Sequence, residues 1–480
     1  MTDCTLDASP TLAPNDPDAR RLAARRRLTL GLVASGMFMA VLDTTIVNVA
    51  LPALRTSLHA TVAGLAWIVD AYTLSFAALI LAGGVVSDRF GAKAVYLSGL
   101  ALFVGASAAC GLAPSVGMLV VARFVQGMGA ALFLPASLAI VRSTFDDPAE
   151  RARAISVWAG IASVAAAIGP VLGGMLVDGF GWRSAFLVNV PTGIAALAGA
   201  WLVVRHSTRS RARRFDWGGQ IASAVALGAL CYAAIELPTR GFAAHEVWVA
   251  ALVAALATFA LVAFERRAHD PMVPVHWFRN RVFVAMNLTG TLVYIGYFGL
   301  LFVLSLYLHG EIGLDARQTG LALLPLAVSL SLGNVLSGKL HGRFTPTQLI
   351  TTGLGVAALA VPAIAALLQL RAPWLFVYAA MAAFGAGTSV SVAPMISTVL
   401  EQVPGELAGV ASGLLNALRQ SGSLFGVAIA GAATILAPHL SNALWVVGAV
   451  GFATYAIATA VAAYAVTGVT RRGDTTHTAH

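Results

Sequence analysis

Residues 28–54 read LTLGLVASGMFMAVLDTTIVNVALPAL, and Asp43 is the only charged side chain among them. The run is long enough to cross a bilayer as a helix, for which about 20 predominantly apolar residues suffice. The carboxylate sits in the string Leu42-Asp43-Thr44-Thr45-Ile46-Val47-Asn48-Val49-Ala50-Leu51-Pro52. On insertion scales a charge near the centre of a spanning helix costs roughly 2.5–3.5 kcal/mol. Such a residue needs a partner, a proton or a water-filled cavity. The plain alternative is a carboxylate that bonds a neighbouring helix and does nothing else.

The same pattern recurs along the chain. Apolar runs at 28–54, 64–87, 94–113, 116–141, 153–177, 184–204, 217–236, 247–264, 282–308, 317–338, 347–369, 374–399, 406–436 and 442–467 predict fourteen spanning helices. Composition agrees: 58% of residues are hydrophobic and 11% charged, where a soluble domain has roughly 25% charged. The expected fold is therefore an all-α polytopic membrane protein.

Basic residues sort by loop. With the N-terminus in the cytoplasm, 23 of the 30 Lys and Arg residues fall in inside segments and 5 outside (Arg55, Arg183, Arg240, Arg317, Arg371); Arg123 and Arg419 lie within helices. The positive-inside rule then predicts both termini cytoplasmic. The net charge of +9 is a topology signal whose counterpart is the lipid surface; nucleic acid is not implied. Residues 1–27 read as a basic cytoplasmic tail without a cleavable signal. Cys4, Cys110 and Cys231 are scattered and predict neither a disulfide framework nor a metal site. The excess of Arg over Lys suggests a high-GC bacterial genome, hence a bacterial cytoplasmic membrane.

The expected organisation is a tail (1–27), a six-helix bundle (28–204), cytoplasmic loops with a two-helix insertion (205–281), a second six-helix bundle (282–467) and a tail (468–480). The two bundles echo each other. Gly84-Val85-Val86-Ser87-Asp88-Arg89-Phe90 and Gly338-Lys339-Leu340-His341-Gly342-Arg343-Phe344 match in Gly, Arg and Phe at a constant offset of 254. Duplicated halves around a midplane site are the architecture of many secondary transporters.

Three charges share a depth. At about 1.5 Å per residue, Asp43, Asp70 and Arg123 all fall in the outer half of the bilayer. A guanidinium favours the ionised form of a nearby carboxyl and desolvation the neutral form. Changing hydration would swing such a group between the two. Trp67 and Tyr72 flank Asp70, and Ile168-Gly169-Pro170-Val171-Leu172-Gly173-Gly174 predicts a kinked small-residue seam.

These strings carry a resemblance. Gly84 to Lys93, with Asp88, Arg89, Gly91 and Lys93, resembles the loop-2/3 signature of the major facilitator superfamily. Arg123-Phe124-Val125-Gln126-Gly127-Met128-Gly129-Ala130-Ala131 is similar to its helix-4 signature, and Gly169-Pro170 with Gly173-Gly174 to its antiporter motif. The Asp43 string resembles that of the 14-helix drug:proton antiporters, as do Trp182-Arg183, Asn189-Val190-Pro191, Phe278-Arg279-Asn280-Arg281 and Asn416-Ala417-Leu418-Arg419-Gln420-Ser421-Gly422. Val86, Ala92 and Ala165 depart from the usual residues.

The resemblance implies a major facilitator fold and assigns roles. Asp43 would bear the proton, Arg123 would tune its affinity and Asp70 would be a second protonatable or cation-facing site. Asp88 and Arg89 would latch the cytoplasmic side; Gly169 and Pro170 would set a bend that prevents leak. Asp70, Asn48, Trp67, Tyr72 and Asn416 are the candidates for facing substrate. Arg419 has no carboxylate on its own helix, which leaves packing or carbonyl bonding open.

The expected activity is proton-coupled export of amphipathic small molecules, cationic ones among the candidates, by a monomer with no cofactor and no metal. No GxxxxGK[ST] string occurs, and a proton gradient supplies about 1.4 kcal/mol per pH unit and about 2.3 kcal/mol per charge per 100 mV. Dedicated export of an endogenous metabolite, lipid or antibiotic is the alternative. A polytopic enzyme is remote: HExxH and GxSxG are absent and the ten His residues fall in loops or tails. A nutrient symporter would not predict the Gly-Pro motif or fourteen helices.

Overall fold

The structure, a computed structural model, describes residues 17–145, 147–205, 216–267, 274–340, 343–404 and 407–474. Outside them lie most of the first tail with Cys4, the basic loop at 206–215, His341 and Gly342 of the second echo, and the last six residues. Every regular element among the described residues is helical: α1 Pro17–Ser57, α2 Val62–Phe90, α3 Ala92–Gly111, α4 Val116–Thr144, α5 Pro148–Phe180, α6 Ser184–Leu187, α7 Asn189–Val203, α8 Trp217–Arg240, α9 His245–Arg267, α10 Arg281–Gly310, α11 Ala316–Ala322, α12 Leu324–Leu340, α13 Pro346–Gln369, α14 Trp374–Glu401, α15 Ala408–Leu436 and α16 Leu440–Asp474. A 3₁₀ turn at Val275–Arg279 leads into α10.

Taken as spans these are the expected fourteen, because α6 with α7 and α11 with α12 each make one crossing. The two breaks, at Val188 and Leu323, have a common cause. Proline has no N–H to offer the carbonyl four residues earlier, so Pro191 and Pro325 leave Leu187 and Leu321 without their helical partners. Thirteen spans are long and apolar enough to cross a membrane. The fourteenth, α15, has the 29 residues but carries Asn416, Arg419 and Gln420 at mid-length, which dilutes its apolarity. An even number of crossings puts both termini at one end of the bundle, called here the near end.

The first helix is longer than its apolar run. It begins at Pro17, so Arg20 to Arg27 form its first turns where a tail was expected. Leu, Ala and Arg are good helix formers whatever their hydropathy.

Helix pairing repeats between the halves. In the first, α1 packs on α5 and α7, α3 on α4 and α7, and α2 on α4; in the second, α10 packs on α15 and α16, α13 on α14 and α16, and α12 on α14. The halves meet through α2 with α15, α5 with α11 and α12, and α1 with α10. Within the insertion α8 packs on α2 and α15, whereas α9 packs mainly on α8. Trp248, Leu252, Leu256 and Phe259 of α9 are exposed, as a lipid-facing helix requires.

The seam between halves is tightest at the far end. A Cβ on Gly174 would stand 2.6 Å from the Ala316 carbonyl oxygen, and one on Gly320 2.2 Å from that of Pro170. On its other flank α5 presses on α1, with Gly169 against the Thr45 hydroxyl and Gly173 against Ile46. The small-residue seam is present in these close approaches, while Pro170 leaves α5 continuous from Pro148 to Phe180. Its glycines are where three helices come within backbone contact.

Candidate functional site

Four helices of the first half converge on Asp43. Asp43, Ser107 and Gln126 are fully buried, and Arg123 and Asn189 nearly so. Arg123 of α4 donates from Nη1 to Asp43 Oδ2. Asp43 Oδ1 accepts two amide N–H bonds, from Gln126 Nε2 at 2.8 Å and Asn189 Nδ2 at 3.1 Å. The carboxylate thus has three donors, one charged and two neutral, which is how a buried anion is made tolerable.

The next layer holds those donors still. Gln126 Oε1 accepts from Arg123 Nη1 at 2.7 Å and from Cys110 Sγ at 3.7 Å. Ser107 Oγ accepts from Gln126 at 3.2 Å and Asn189 at 3.1 Å, and donates to the Phe186 carbonyl at 2.9 Å. Arg123 Nε donates to the Ile68 carbonyl of α2 at 3.1 Å, and its guanidinium lies 4.4 Å from the Tyr72 ring centre. That reach depends on Gly127: a Cβ there would lie 2.2 Å from the Tyr72 carbonyl oxygen, so α2 and α4 could not approach.

Asp70 is not a member of this cluster, and grouping it with Asp43 and Arg123 by depth alone is wrong. At about 100° per residue, two residues separate opposite faces of a helix. Tyr72 faces Arg123, and Asp70 faces α8. On that face Trp67 Nε1 donates to Glu236 Oε1 at 3.0 Å and lies 6.2 Å from the Tyr232 ring, and Gln220 donates to the Ala78 carbonyl. Asp70 is fully buried, and neither of its oxygens has a hydrogen-bond partner among the described residues.

The substrate-facing candidates separate too. Asn48 lines a cavity of about 20 Å³ with Thr45, Pro170, Tyr297 and Leu323, room for about one water. It lies where α1 and α5 of one half meet α10 and α12 of the other. Asn48 Oδ1 has no partner there, while its backbone carbonyl accepts from Ser305 Oγ of α10 at 2.6 Å. Tyr72 is buried against Arg123 and Trp67 is bonded to α8, so neither faces this cavity. Asn416 is half-buried on α15, and its side chain makes no hydrogen bond among the described residues.

At the near end, Gly91 takes φ +94° between α2 and α3, a conformation suited to glycine. Lys93 Nζ donates to the Trp201 carbonyl at 2.7 Å, and Arg25 Nε to that of Val203 at 3.0 Å; cations thus satisfy the last carbonyls of α7. Asp88 and Arg89 are exposed and form no ion pair among the described residues, and a Cβ on Gly84 would touch nothing within 4 Å.

Two six-helix halves with one pairing scheme, meeting around a small central cavity beside a buried charge cluster, define a membrane transporter rather than an enzyme. The chain belongs to the Major Facilitator Superfamily, whose family model matches residues 33–427. It is 38% identical over 423 residues to the methylenomycin A resistance protein of Bacillus subtilis, covering 88% of this chain and 89% of that one. It is 37% identical over 423 residues to the multidrug resistance protein Stp of Mycobacterium tuberculosis, with 87% and 78% covered. A bacterial homologue of the lysosomal transporter Spinster, solved inward-facing and unoccupied, shares the fold with a TM-score of 0.66 at 18% identity, over 92% of this chain and 97% of that one.

Proposed function

We propose that this protein is a proton-coupled antiporter that exports amphipathic drugs or toxic small molecules, cationic ones included, across a bacterial cytoplasmic membrane. The observation that carries the reading is the placement of α1. One face bears Asp43 inside the polar cluster; the other bears Thr45 and Asn48 on the cavity between the halves. A single helix therefore couples a proton site to the surface on which the halves move. Protonating Asp43 weakens its bond to Arg123, and the release is transmitted along α1 to the seam with α5 and α10.

Asp70 serves as a second protonatable or cation-facing group, because a buried carboxyl with no donor is expensive to hold as an anion. Asn48 and Asn416 face the substrate; Asp88 and Arg89 latch the near, cytoplasmic side when it closes. The distribution of arginines supports cytoplasmic termini. The transporter acts as a secondary carrier without a cofactor. Its relatives support two breadths of substrate: the name of one speaks of many drugs, that of the other of a single antibiotic. Dedicated export of one antibiotic or metabolite is therefore the second reading.

Expression in a pump-deficient bacterium, screened against dyes, biocides and antibiotics, separates the two by breadth of resistance. In proteoliposomes Asp43→Asn is expected to leave a folded protein and abolish efflux driven by a pH gradient. Undiminished driven efflux would remove Asp43 from the proton path.

A further inference from the structure

A carboxylate only accepts hydrogen bonds, but a carboxylic acid must also donate one. Around Asp43 every bonded neighbour donates: Arg123, Gln126 and Asn189. A proton arriving on Asp43 therefore meets no acceptor unless one of these groups changes. Arg123 has no acceptor atom. Gln126 is fixed at both ends, since turning its amide would point Nε2 at the Arg123 donor and Oε1 at the carboxylate.

Asn189 is held at one end only. Its Nδ2 donates to Asp43 Oδ1 and Ser107 Oγ, each at 3.1 Å, while its Oδ1 is buried with no partner among the described residues. The two amide atoms are nearly isosteric, so a half-turn would bring Oδ1 to the place Nδ2 now holds. There it accepts the O–H of a protonated Asp43, and the Ser107 hydroxyl, now donating to Phe186, can turn to it as well. Asn189 also stands just past the helix break at Val188, where the backbone ladder is already interrupted.

We infer that Asn189 reads the protonation state of Asp43 by turning its side-chain amide: it donates to the carboxylate and accepts from the acid. It is a positioning residue, and the inference rests on Asp43 being the proton carrier. The other ionisable groups facing Asp43 are few. They are Arg123 from α4, Tyr72 from α2 and Cys110 from α3, with Tyr297 of α10 on the cavity side of α1. The facing stretch of α5 between Arg153 and Asp178, and all of α6 and α7, carry none. Asp70 is turned away toward α8.

Infrared difference spectra between high and low pH, recorded on the purified full-length protein in lipid, test this without any substrate. A carboxylic-acid C=O band that disappears in Asp43→Asn identifies the proton on Asp43. With side-chain ¹³C-labelled asparagine, an amide C=O band assigned by its loss in Asn189→Ser is expected to shift to lower wavenumber on acidification. That shift should vanish in Asp43→Asn. In Asn189→Leu the Asp43 acid band is expected at higher wavenumber, because its O–H has lost its acceptor. An Asp43 band with no accompanying Asn189 shift overturns the amide switch and leaves the proton-carrier reading standing. Absence of any Asp43 band overturns both. The pH-dependent amide shift is read in the labelled parent protein, and loss of the band in either Asn189→Ser or Asn189→Leu assigns it, so the test stands if one of the two fails to fold.

Discussion

The two halves share one helix-pairing scheme and bury different chemistry. In the first, a carboxylate, a guanidinium and three neutral polar side chains from α1, α3, α4 and α7 are hydrogen-bonded to one another. In the second, the mid-helix cation is Arg419 of α15, and it pairs with no carboxylate among the described residues. Its Nη2 donates to Tyr294 Oη, its guanidinium lies 4.4 Å from the Tyr294 ring centre, and its Nε is buried without a partner among the described residues. The described acidic residues of that half, Glu311, Asp315 and Glu401, sit at helix ends; Glu406 lies outside the described residues. The same scaffold thus carries an ionisable pair on one side and an aromatic-stacked cation on the other. Duplication supplies the framework, and among the described residues only the first half pairs a buried carboxyl with a guanidinium.

Removing the guanidinium from the first half should do the most damage. Arg123→Leu leaves Asp43 as a buried carboxylate without its counter-charge, a loss of about 3–5 kcal/mol for such pairs. The expected outcome is a large fall in melting temperature and in folded yield. Asp43→Asn in the same chain should recover much of the stability but none of the pH-driven efflux. If Arg123→Leu melts like the parent, the contrast between the halves is wrong, because Arg123 would then be as dispensable as Arg419.

The next largest effect lies where the halves touch. A side chain at Gly174 would meet backbone of α11, with the Ala316 oxygen at 2.6 Å and the Arg317 Cα at 2.9 Å. Backbone on both sides cannot yield, so Gly174→Leu should pry the far-end seam open and cut driven efflux at least tenfold. Asn48→Cys supplies the gauge. Its labelling by a membrane-impermeant thiol reagent from the far side should be slow alone and fast with Gly174→Leu; equal rates would mean that this seam does not close the path.

Much of this is legible in the sequence, and the rest is hidden for identifiable reasons. Spanning helices announce themselves because the bilayer demands long apolar runs, and all fourteen runs fall on helical spans. The break at Val188 does not, because proline is ambiguous: Pro191 and Pro325 interrupt helices, whereas Pro135, Pro170, Pro362 and Pro394 lie inside continuous ones. In the site, the cost of Asp43 points to a partner, and depth selects Arg123. Depth gives height but not direction around the helix, so it groups Asp70 with a pair that Asp70 faces away from. Gln126 and Asn189 stand in recognisable motifs with no sign that both bond Asp43. Ser107, one of two serines in a helix rich in Ala, Gly and Leu, offers no signal at all.

Arg419 gives the smaller half of the comparison. Arg419→Gln keeps a donor for the Tyr294 hydroxyl and removes a charge that no carboxylate balances among the described residues. We expect the pH dependence of efflux to match the parent and the rate to fall no more than severalfold. A shifted pH profile would place proton chemistry in both halves and erase the distinction.

The mildest test concerns how each half anchors its third helix. In the first, Lys93 near the start of α3 bonds the Trp201 carbonyl at the end of α7. In the second, the position 254 residues on is Thr347, and α13 instead opens with a capping box between Thr345 and Gln348. One half therefore ties two helices together with a cation, while the other satisfies its helix start locally. Lys93→Ala removes one charge-assisted hydrogen bond, worth about 1.5–3 kcal/mol when shielded and toward the lower end here, because Trp201 is 66% exposed. The expected result is a small drop in melting temperature with efflux retained. Arg25→Ala acts on a different carbonyl of the same helix end, so the two losses should add only partly, as neighbours on one helix end share its solvation. Thr345→Ala should cost about 1 kcal/mol through its cap alone, independently of both. A strong coupling between Thr345→Ala and Lys93→Ala would show that the halves are not anchored separately.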